Sequence, residues 1–385
     1  MFGRPEHELL LCVARVRVDA RTAARINELL GLPLDWDYLL ELARRHAVRP
    51  LVYWQLQTTA PHAVPAPYLR KLKENFQSNA ARNLFLNGEL CRVLRLFEEH
   101  GVPAIPYKGP ALAVAAYGNL SLRRFVDLDI MTPRRDVLRA RDLLISQGYA
   151  PQPALSEAQQ KILLRTQHNL PLTRDEGRLI IELHWEVATK KFASAMDAEE
   201  LWKRLETLTL GGVEVKSLSP EDLLLSLCVH GSKHLWERLA WVCDAAELIN
   251  SHPALDWPRV LGQARRAGIE RMLFLGLRLA RELLGAALPP EVESEAFDDS
   301  SVASLSAQVS AHLFDGADYR PAGLARNVLF NLRARRRWRD KLRYFGFMVS
   351  PTDGDLTVLP LPASLSFVYY LMRPFRLLLK RDAGH

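Results

Sequence analysis

The sequence predicts an α+β protein: a small mixed sheet with flanking helices, and further helical regions toward both ends. Three observations predict it. Carboxylates alternate with apolar residues in Val126-Asp127-Leu128-Asp129-Ile130 and Ile181-Glu182-Leu183, the period-two pattern of a strand with one buried face. Between Val102 and Pro110 an apolar run meets a Lys108-Gly109 turn and then an apolar stretch opened by proline, as a helix start is. Outside this segment the apolar residues recur mostly at helical spacing.

Residues 1–79 read as a helical region. Glu8 to Val18 and Ala23 to Leu30 are apolar at helical spacing, and Asp35 is placed to cap a helix from Trp36 to Arg45 that ends before Pro50. Pro61 to Pro67 reads as a linker or tight loop. A long helix follows from Tyr68 to Glu99. Its stripe of Leu72, Phe76, Leu84, Leu86, Leu90, Val93, Leu94 and Phe97 is placed for burial, and His100-Gly101 ends it. Val102 to Tyr107, with two prolines, reads as an edge strand. A helix from Pro110 to Tyr117 and a loop to Leu122 precede the acidic strand. There Asp127 and Asp129 share one face, and Val126, Leu128 and Ile130 turn to the core. Pro133 opens a helix to Gln147 with Val137, Leu138, Leu143 and Leu144 facing inward and Gly148 as its cap.

Ser156 caps a helix to about Leu164. His168 to Leu172 and Arg178 to Val187 read as a hairpin around Asp175-Glu176-Gly177. Trp185 belongs to the core, and Glu186 to solvent. Asp197 caps Ala198 to Leu205, Gly211-Gly212 turns a small hairpin, and Ser219-Pro220 opens a helix. His230 and His234, four apart, share a helix face. Two more helices run from Asp256 or Trp257 to Leu284 with a break at Gly268, and Gly285 to Ser304 reads as a hinge or mobile loop. Residues 291–385 form a basic aromatic tail. Arg333, Arg335, Arg336, Arg337, Arg339, Lys341 and Arg343 lie beside Trp338, Tyr344, Phe345 and Phe347. Phe367, Tyr369, Tyr370, Leu371, Met372 and Phe375 follow with Arg373, Arg376, Lys380 and Arg381.

With 385 residues and 48% hydrophobic composition, two or three domains and a sizeable core are expected. A net charge of +7 favours anionic partners. For residues 331–381 three readings stay open: an anionic membrane surface, nucleic acid, or helices docked by their aromatic face. The four cysteines lie far apart without zinc or redox spacing, as buried thiols in a reducing compartment would. No secretory signal and no run of about 18 apolar residues is present. The expectation is a cytoplasmic protein, peripheral at the inner face of a membrane if the tail binds one. No Walker loop, Rossmann fingerprint or Ser-His-Asp order occurs.

Three gathered carboxylates, Asp127, Asp129 and Glu182, would raise each other's pKa, and a divalent cation relieves that repulsion. Oxygen-only donors suit Mg²⁺, which also binds substrate phosphates. The Lys108-Gly109 turn and the helix start after it would present N–H groups to an anion. His184 falls on the Glu182 face, and His168 flanks it. No third His or Cys stands near His230 and His234, so zinc is not expected.

Tyr107-Lys108-Gly109-Pro110-Ala111-Leu112-Ala113, Tyr117, Arg123 four residues before Asp127, Asp127-x-Asp129, Gly148-Tyr149 and Glu182 before Leu183-His184-Trp185 together resemble the uncharacterised nucleotidyltransferase family. It lies within the DNA polymerase beta-like superfamily. The resemblance extends from about Ala80 to Ile249. It implies a nucleotidyltransferase core at residues 80–216 and a helical domain at 217–290 completing the site. It further implies two Mg²⁺ ions and transfer of an NMP group from an NTP to an acceptor hydroxyl that the sequence does not identify. On this resemblance Asp127 and Asp129 are the metal pair, and Glu182 is the third carboxylate and a proton acceptor. Gly109 is the turn glycine near the phosphates, Lys108 and Arg123 balance phosphate charge, and His184 borders the site. Lys233 or His234 contacts phosphate or base, with Asp244 orienting one of them. The superfamily usually has serine after the turn glycine; here Pro110 offers neither hydroxyl nor N–H. That departure supports an alternative, a degenerate nucleotidyltransferase fold acting as a binding or scaffold protein at a membrane surface.

Overall fold

The computed structural model describes residues 3–154, 156–193, 198–315, 323–358, 365 and 367–379. Four short helices open the chain: α1 (Pro5–Val13), α2 (Ala20–Leu30), α3 (Trp36–Arg45) and α4 (Arg49–Thr59). Asp19 and Asp35 cap α2 and α3 by accepting the backbone N–H of Thr22 and Tyr38. α1 stops at Val13 rather than Val18, and the Val16 N–H donates to the Glu247 carboxylate instead. α4 is missing from the sequence-based expectation, which takes Pro50 as a terminator. Pro50 sits in the first turn of α4, where its missing N–H leaves no helical bond unmade.

α5 (Ala66–Glu99) is the long helix. Leu72, Leu86, Leu90, Val93, Leu94 and Phe97 are buried as expected, but Leu84 is 67% exposed. Leu84 and Leu86 stand about 200° apart around a helix, so both cannot face inward. β1 (Ile105–Pro106), α6 (Pro110–Tyr117), β2 (Leu128–Met131), α7 (Val137–Ser146), β3 (Ala150–Pro151), α8 (Glu157–Thr166), β4 (Asn169–Arg174) and β5 (Leu179–His184) follow. The five strands form one sheet in the order β1-β2-β5-β4-β3. β2 and β5 are parallel, and the other neighbours are antiparallel. The expected edge strand is indeed at the edge.

Leu128, Ile130, Leu170, Leu172, Ile181 and Leu183 bury one sheet face against Leu86, Leu90, Val93 and Phe97 of α5 and Val137, Ala140 and Leu144 of α7. Each such Leu, Ile or Phe contributes about 1.5–3 kcal/mol on burial. The opposite face is left to Asp129, Glu182 and His184. Three side chains depart from expectation. Val126 is exposed because the strand begins only at Leu128, so alternation does not reach back to it. Leu138 is exposed because it stands about 100° around the helix from Val137 and about 120° from Leu144, so it cannot share the face those two bury. Glu186 is buried, with Arg134 at 3.8 Å and Lys190 at 3.7 Å.

α9 (Ala198–Trp202), a hairpin of β6 (Glu206–Leu210) and β7 (Val213–Ser217), α10 (Pro220–Lys233), α11 (Leu239–Ser251), α12 (Trp257–Ala267) and α13 (Glu270–Leu284) come next. Gly268, at φ +70°, makes the expected break. Gly285 to Ser304 is not a hinge. It holds α14 (Pro290–Asp298) and the start of α15 (Ser300–Leu313), with Val292, Ala296, Val302 and Leu305 buried. Pro290 lies in a first turn and Asp299 caps α15, so the residues that look like loop composition are helix starts. The tail holds α16 (Leu324–Arg333), α17 (Trp338–Met348), α18 (Asp353–Val358) and α19 (Phe367–Leu379).

Arg335 is not part of a basic surface: it is buried, with its guanidinium over Phe192 and Tyr344 at 4.5 and 4.4 Å. Cys228 and Cys243 are buried, whereas Cys12 and Cys91 are partly exposed. Asp197, Lys380 and Arg381 lie outside the described residues, as does the side chain of Phe375. Among the described residues no helix is long and apolar enough to cross a membrane. The N-terminal helices and α10 to α17 contribute to one continuous hydrophobic core, which sets α3 against the polar side of the sheet.

Candidate active site

Parallel pairing of β2 with β5 brings the acidic side chains together. Asp129 is the direct register partner of Glu182, and Met131 that of His184. Glu182 and His184 are two residues apart and therefore share a face. The His184 Nε2 atom lies 3.0 Å from Asp129 Oδ1 and 3.2 Å from Glu182 Oε2. Lys108, in the turn before α6, places Nζ 2.7 Å from Asp129 Oδ1. Two further contacts have no local signature in the sequence. The Tyr107 hydroxyl is 3.2 Å from His184 Nδ1, and Asn169 Nδ2 donates to Glu182 Oε2 at 2.9 Å. Asn169 reaches Glu182 because β4 pairs with β5, a neighbour relation no short motif records.

Gly109 is required by the backbone. At φ +54° and ψ −127° it occupies a region open essentially to glycine alone, and a Cβ there would stand 3.1 Å from the Asp127 carbonyl oxygen. The turn thus approaches the strand closely enough to set Lys108 beside Asp129.

Charge inside this group is partly balanced. Burial opposes ionisation of Asp129, but the Lys108 ammonium and the His184 hydrogen bond outweigh it and hold the carboxyl well below its usual range. Burial likewise disfavours the charged forms of Lys108 and His184, yet Asp129 raises both above their ordinary values, with Glu182 adding to the effect. Glu182 is lowered, its burial offset by the His184 hydrogen bond. Asp127 goes the other way: burial, then the Asp129 charge, pushes it up to about 6.

These groups open onto a cavity of about 1110 Å³ lined by Lys108, Asp127, Asp129 and Glu182 on one side. His230, His234, Trp241 and Asp244 form another wall, and Tyr38, Arg44 and Arg45 of α3 a third. α3 carries no sequence signal of a site, since its apolar periodicity reads only as packing. The His230 and His234 rings lie 4.7 Å apart, although α10 ends at Lys233 and His234 caps it. Burial, then Lys233 and Lys108, lowers His234 to about 4. Lys233 is not among the residues lining the cavity; its charge is felt by His168 and His234. His168 is buried with its ring centre 5.9 Å from that of His184.

Arg123 also borders the cavity, but its guanidinium is engaged. Nε and an Nη donate to the two Asp244 oxygens at 2.7 and 3.0 Å, and the Tyr117 hydroxyl donates to Asp244 at 2.7 Å. Asp244 therefore holds Arg123 and Tyr117, not Lys233 or His234 as the sequence suggests. The reason is topological: α11 packs against α6, which brings Asp244 to Tyr117.

A family model described as an uncharacterised nucleotidyltransferase matches residues 33–285. The chain belongs to this nucleotidyltransferase family. The match begins at the start of α3, well before Ala80 where the sequence motifs set in, and it runs to the end of α13. It therefore takes in all three walls of the cavity, α3 included. No curated protein matches the sequence. In this chain Asp129, Glu182 and His184 each offer a ligand atom, all within 4.8 Å of one another. The two carboxylates suit an oxygen-seeking divalent cation such as Mg²⁺, whereas an imidazole nitrogen is a donor for transition metals, and that of His184 is already hydrogen-bonded to both carboxylates. Asp127 stands outside that tight group but lines the same cavity.

Proposed function

We propose that the protein moves an NMP group from an NTP to an acceptor hydroxyl, with Mg²⁺ held by Asp127, Asp129 and Glu182. The observation that carries this reading is that Asp129 and Glu182, with His184 between them, converge within 4.8 Å and share with Asp127 the wall of a cavity of about 1110 Å³. Divalent ions bound there would polarise the phosphoryl oxygens and lower the pKa of the acceptor hydroxyl. Glu182 accepts the proton as the acceptor oxygen bonds to the α-phosphorus and the bond to pyrophosphate breaks. Lys108 exchanges Asp129 for a phosphate oxygen when substrate enters. Arg123, committed to Asp244, lends its charge to the cavity wall without a free fork for phosphate. His184, between Asp129, Glu182 and Tyr107, orients the carboxylates, and His234 contributes a contact to phosphate or base. Lys233 acts through its charge.

The test is incubation with each labelled NTP, Mg²⁺ and cell extract. A labelled product that disappears with Asp129→Ala is expected; a product unchanged by that variant removes the reading.

One set of observations favours a second reading, a degenerate fold that binds without transfer. Pro110 lacks an N–H, the Ala111 N–H is spent on the Lys108 carbonyl at 3.1 Å, and Lys108 and Arg123 are already paired. NTP binding without labelled product from any extract would favour it.

A further inference from the structure

The basic tail presents one face that nothing in the described chain covers. On α17, Trp338, Leu342, Phe345 and Val349, the last at its C-cap, are 68%, 57%, 50% and 37% exposed. At about 100° per residue these four positions fall within an arc of about 60°. The opposite face is core: Tyr344 and Asp340 are buried, and Tyr344 and Phe347 pack on Phe192. Four large apolar side chains in one narrow outward stripe are not scattered surface residues.

Cations border the stripe. Lys341 falls on one flank and Arg339 and Arg343 on the other, with Arg336 and Arg337 just before the helix. The lone acid of α17, Asp340, points inward and accepts from Arg343 at 3.1 Å. Arg336 pairs with Glu270 at 3.2 Å, but among the described residues no carboxylate pairs with Arg337, Arg339 or Lys341, so these three cations flank the stripe without an acidic partner. A second exposed set lies on α19, where Phe367 and Leu371 are exposed. Tyr370 of α19 sits over the Lys191 ammonium, which also donates to Ser350, the residue after Val349. The two stripes are therefore near neighbours.

We propose that this face docks on an anionic lipid bilayer. Trp338 and Phe345 would enter the headgroup boundary, and the flanking Arg and Lys would meet lipid phosphates and carboxylates. An apolar stripe with aromatic residues and a cationic border matches that surface on both counts. Nucleic acid matches the charge but leaves the aliphatic Leu342 and Val349 against a polar backbone. The docked face is on the tail and includes no residue of the candidate active site, so it stands or falls independently of the chemistry there.

The test is co-sedimentation of the full chain with phosphatidylcholine vesicles, with and without phosphatidylserine. Binding is expected only to the mixed vesicles and to weaken with salt. Each cation drawn to the surface contributes about fivefold, so Arg339→Glu with Lys341→Glu should lower the partition coefficient at least about 25-fold. Trp338→Ala with Phe345→Ala, both at exposed positions, should reduce it tenfold or more at unchanged circular dichroism. Absence of binding, equal binding to both vesicle types, or binding indifferent to either pair would overturn the proposal. So would binding of single-stranded RNA with no binding to vesicles.

Discussion

Replacing Asp244 with alanine should destabilise the protein severely, because Asp244 is the common partner of two otherwise unsatisfied buried groups. The Asp244 side chain is 2% exposed and that of Arg123 13%, so little solvent screens the pair. Burial opposes the Arg123 charge, and the carboxylate of Asp244 outweighs it. Removing one partner of a buried ion pair costs about 3–5 kcal/mol, because the other charge stays buried without compensation. The Tyr117 hydroxyl loses its acceptor as well, adding about 1 kcal/mol. Asp244→Ala should therefore cost about 4–6 kcal/mol, a large share of the stability of an ordinary domain. Arg123→Met with Asp244→Leu, which removes both charges and keeps volume, should recover most of that loss. Urea denaturation followed by far-UV circular dichroism measures both, provided the slope is unchanged. A loss below about 1 kcal/mol for Asp244→Ala, or a double-variant loss equal to the sum of the singles, would refute the clamp.

Three further outcomes are expected. Gly109→Ala should cost about 1–3 kcal/mol in strain, since its φ of +54° and the Asp127 oxygen 3.1 Å from the new Cβ leave no relaxed position, and should weaken NTP binding in parallel calorimetry. His46 is buried, contacts the Leu313 carbonyl through Nε2 at 2.8 Å and accepts the Leu239 N–H at Nδ1. Burial, then the Arg45 charge, lowers its pKa from 6.5 to about 3. The unfolded chain therefore takes up the proton first, and stability present above about pH 6.5 declines as pH falls toward about 3, by about 1.4 kcal/mol per unit. Urea midpoints at about pH 7.5 and about pH 5.5 check this, and His46→Gln should reduce the difference without abolishing it, because burial lowers His234 as well. Leu84→Ser should change stability by no more than about 0.5 kcal/mol and Leu86→Ala by about 2–5 kcal/mol, read by the same unfolding curves.

Elements whose boundaries are set by local chemistry are legible in the sequence. Asp35, Ser219, Pro110 and the Gly211-Gly212 turn each stand where the structure starts or turns an element. The same rules misread Pro50 and Pro290, because a proline at the edge of an apolar run can as well open a helix as close one. Alternation placed Asp127 and Asp129 on one strand face and Glu182 with His184 on another; the parallel register joins Asp129, Glu182 and His184, while Asp127 lies before the strand, which begins at Leu128. What could not be read is long-range partnership. Arg123 lies 121 residues from Asp244, and no spacing rule connects them. Asn169 and α3 likewise acquire their places only when β4 and the N-terminal helices pack.

Isothermal titration calorimetry of NTP binding with and without Mg²⁺ asks whether Asp127 and Asp129 hold a divalent ion together with a nucleotide. Binding should require the divalent ion and be lost when Asp127→Ala and Asp129→Ala are combined. Binding of equal strength in that double variant, or no binding in the native protein at any Mg²⁺ concentration, would contradict that role.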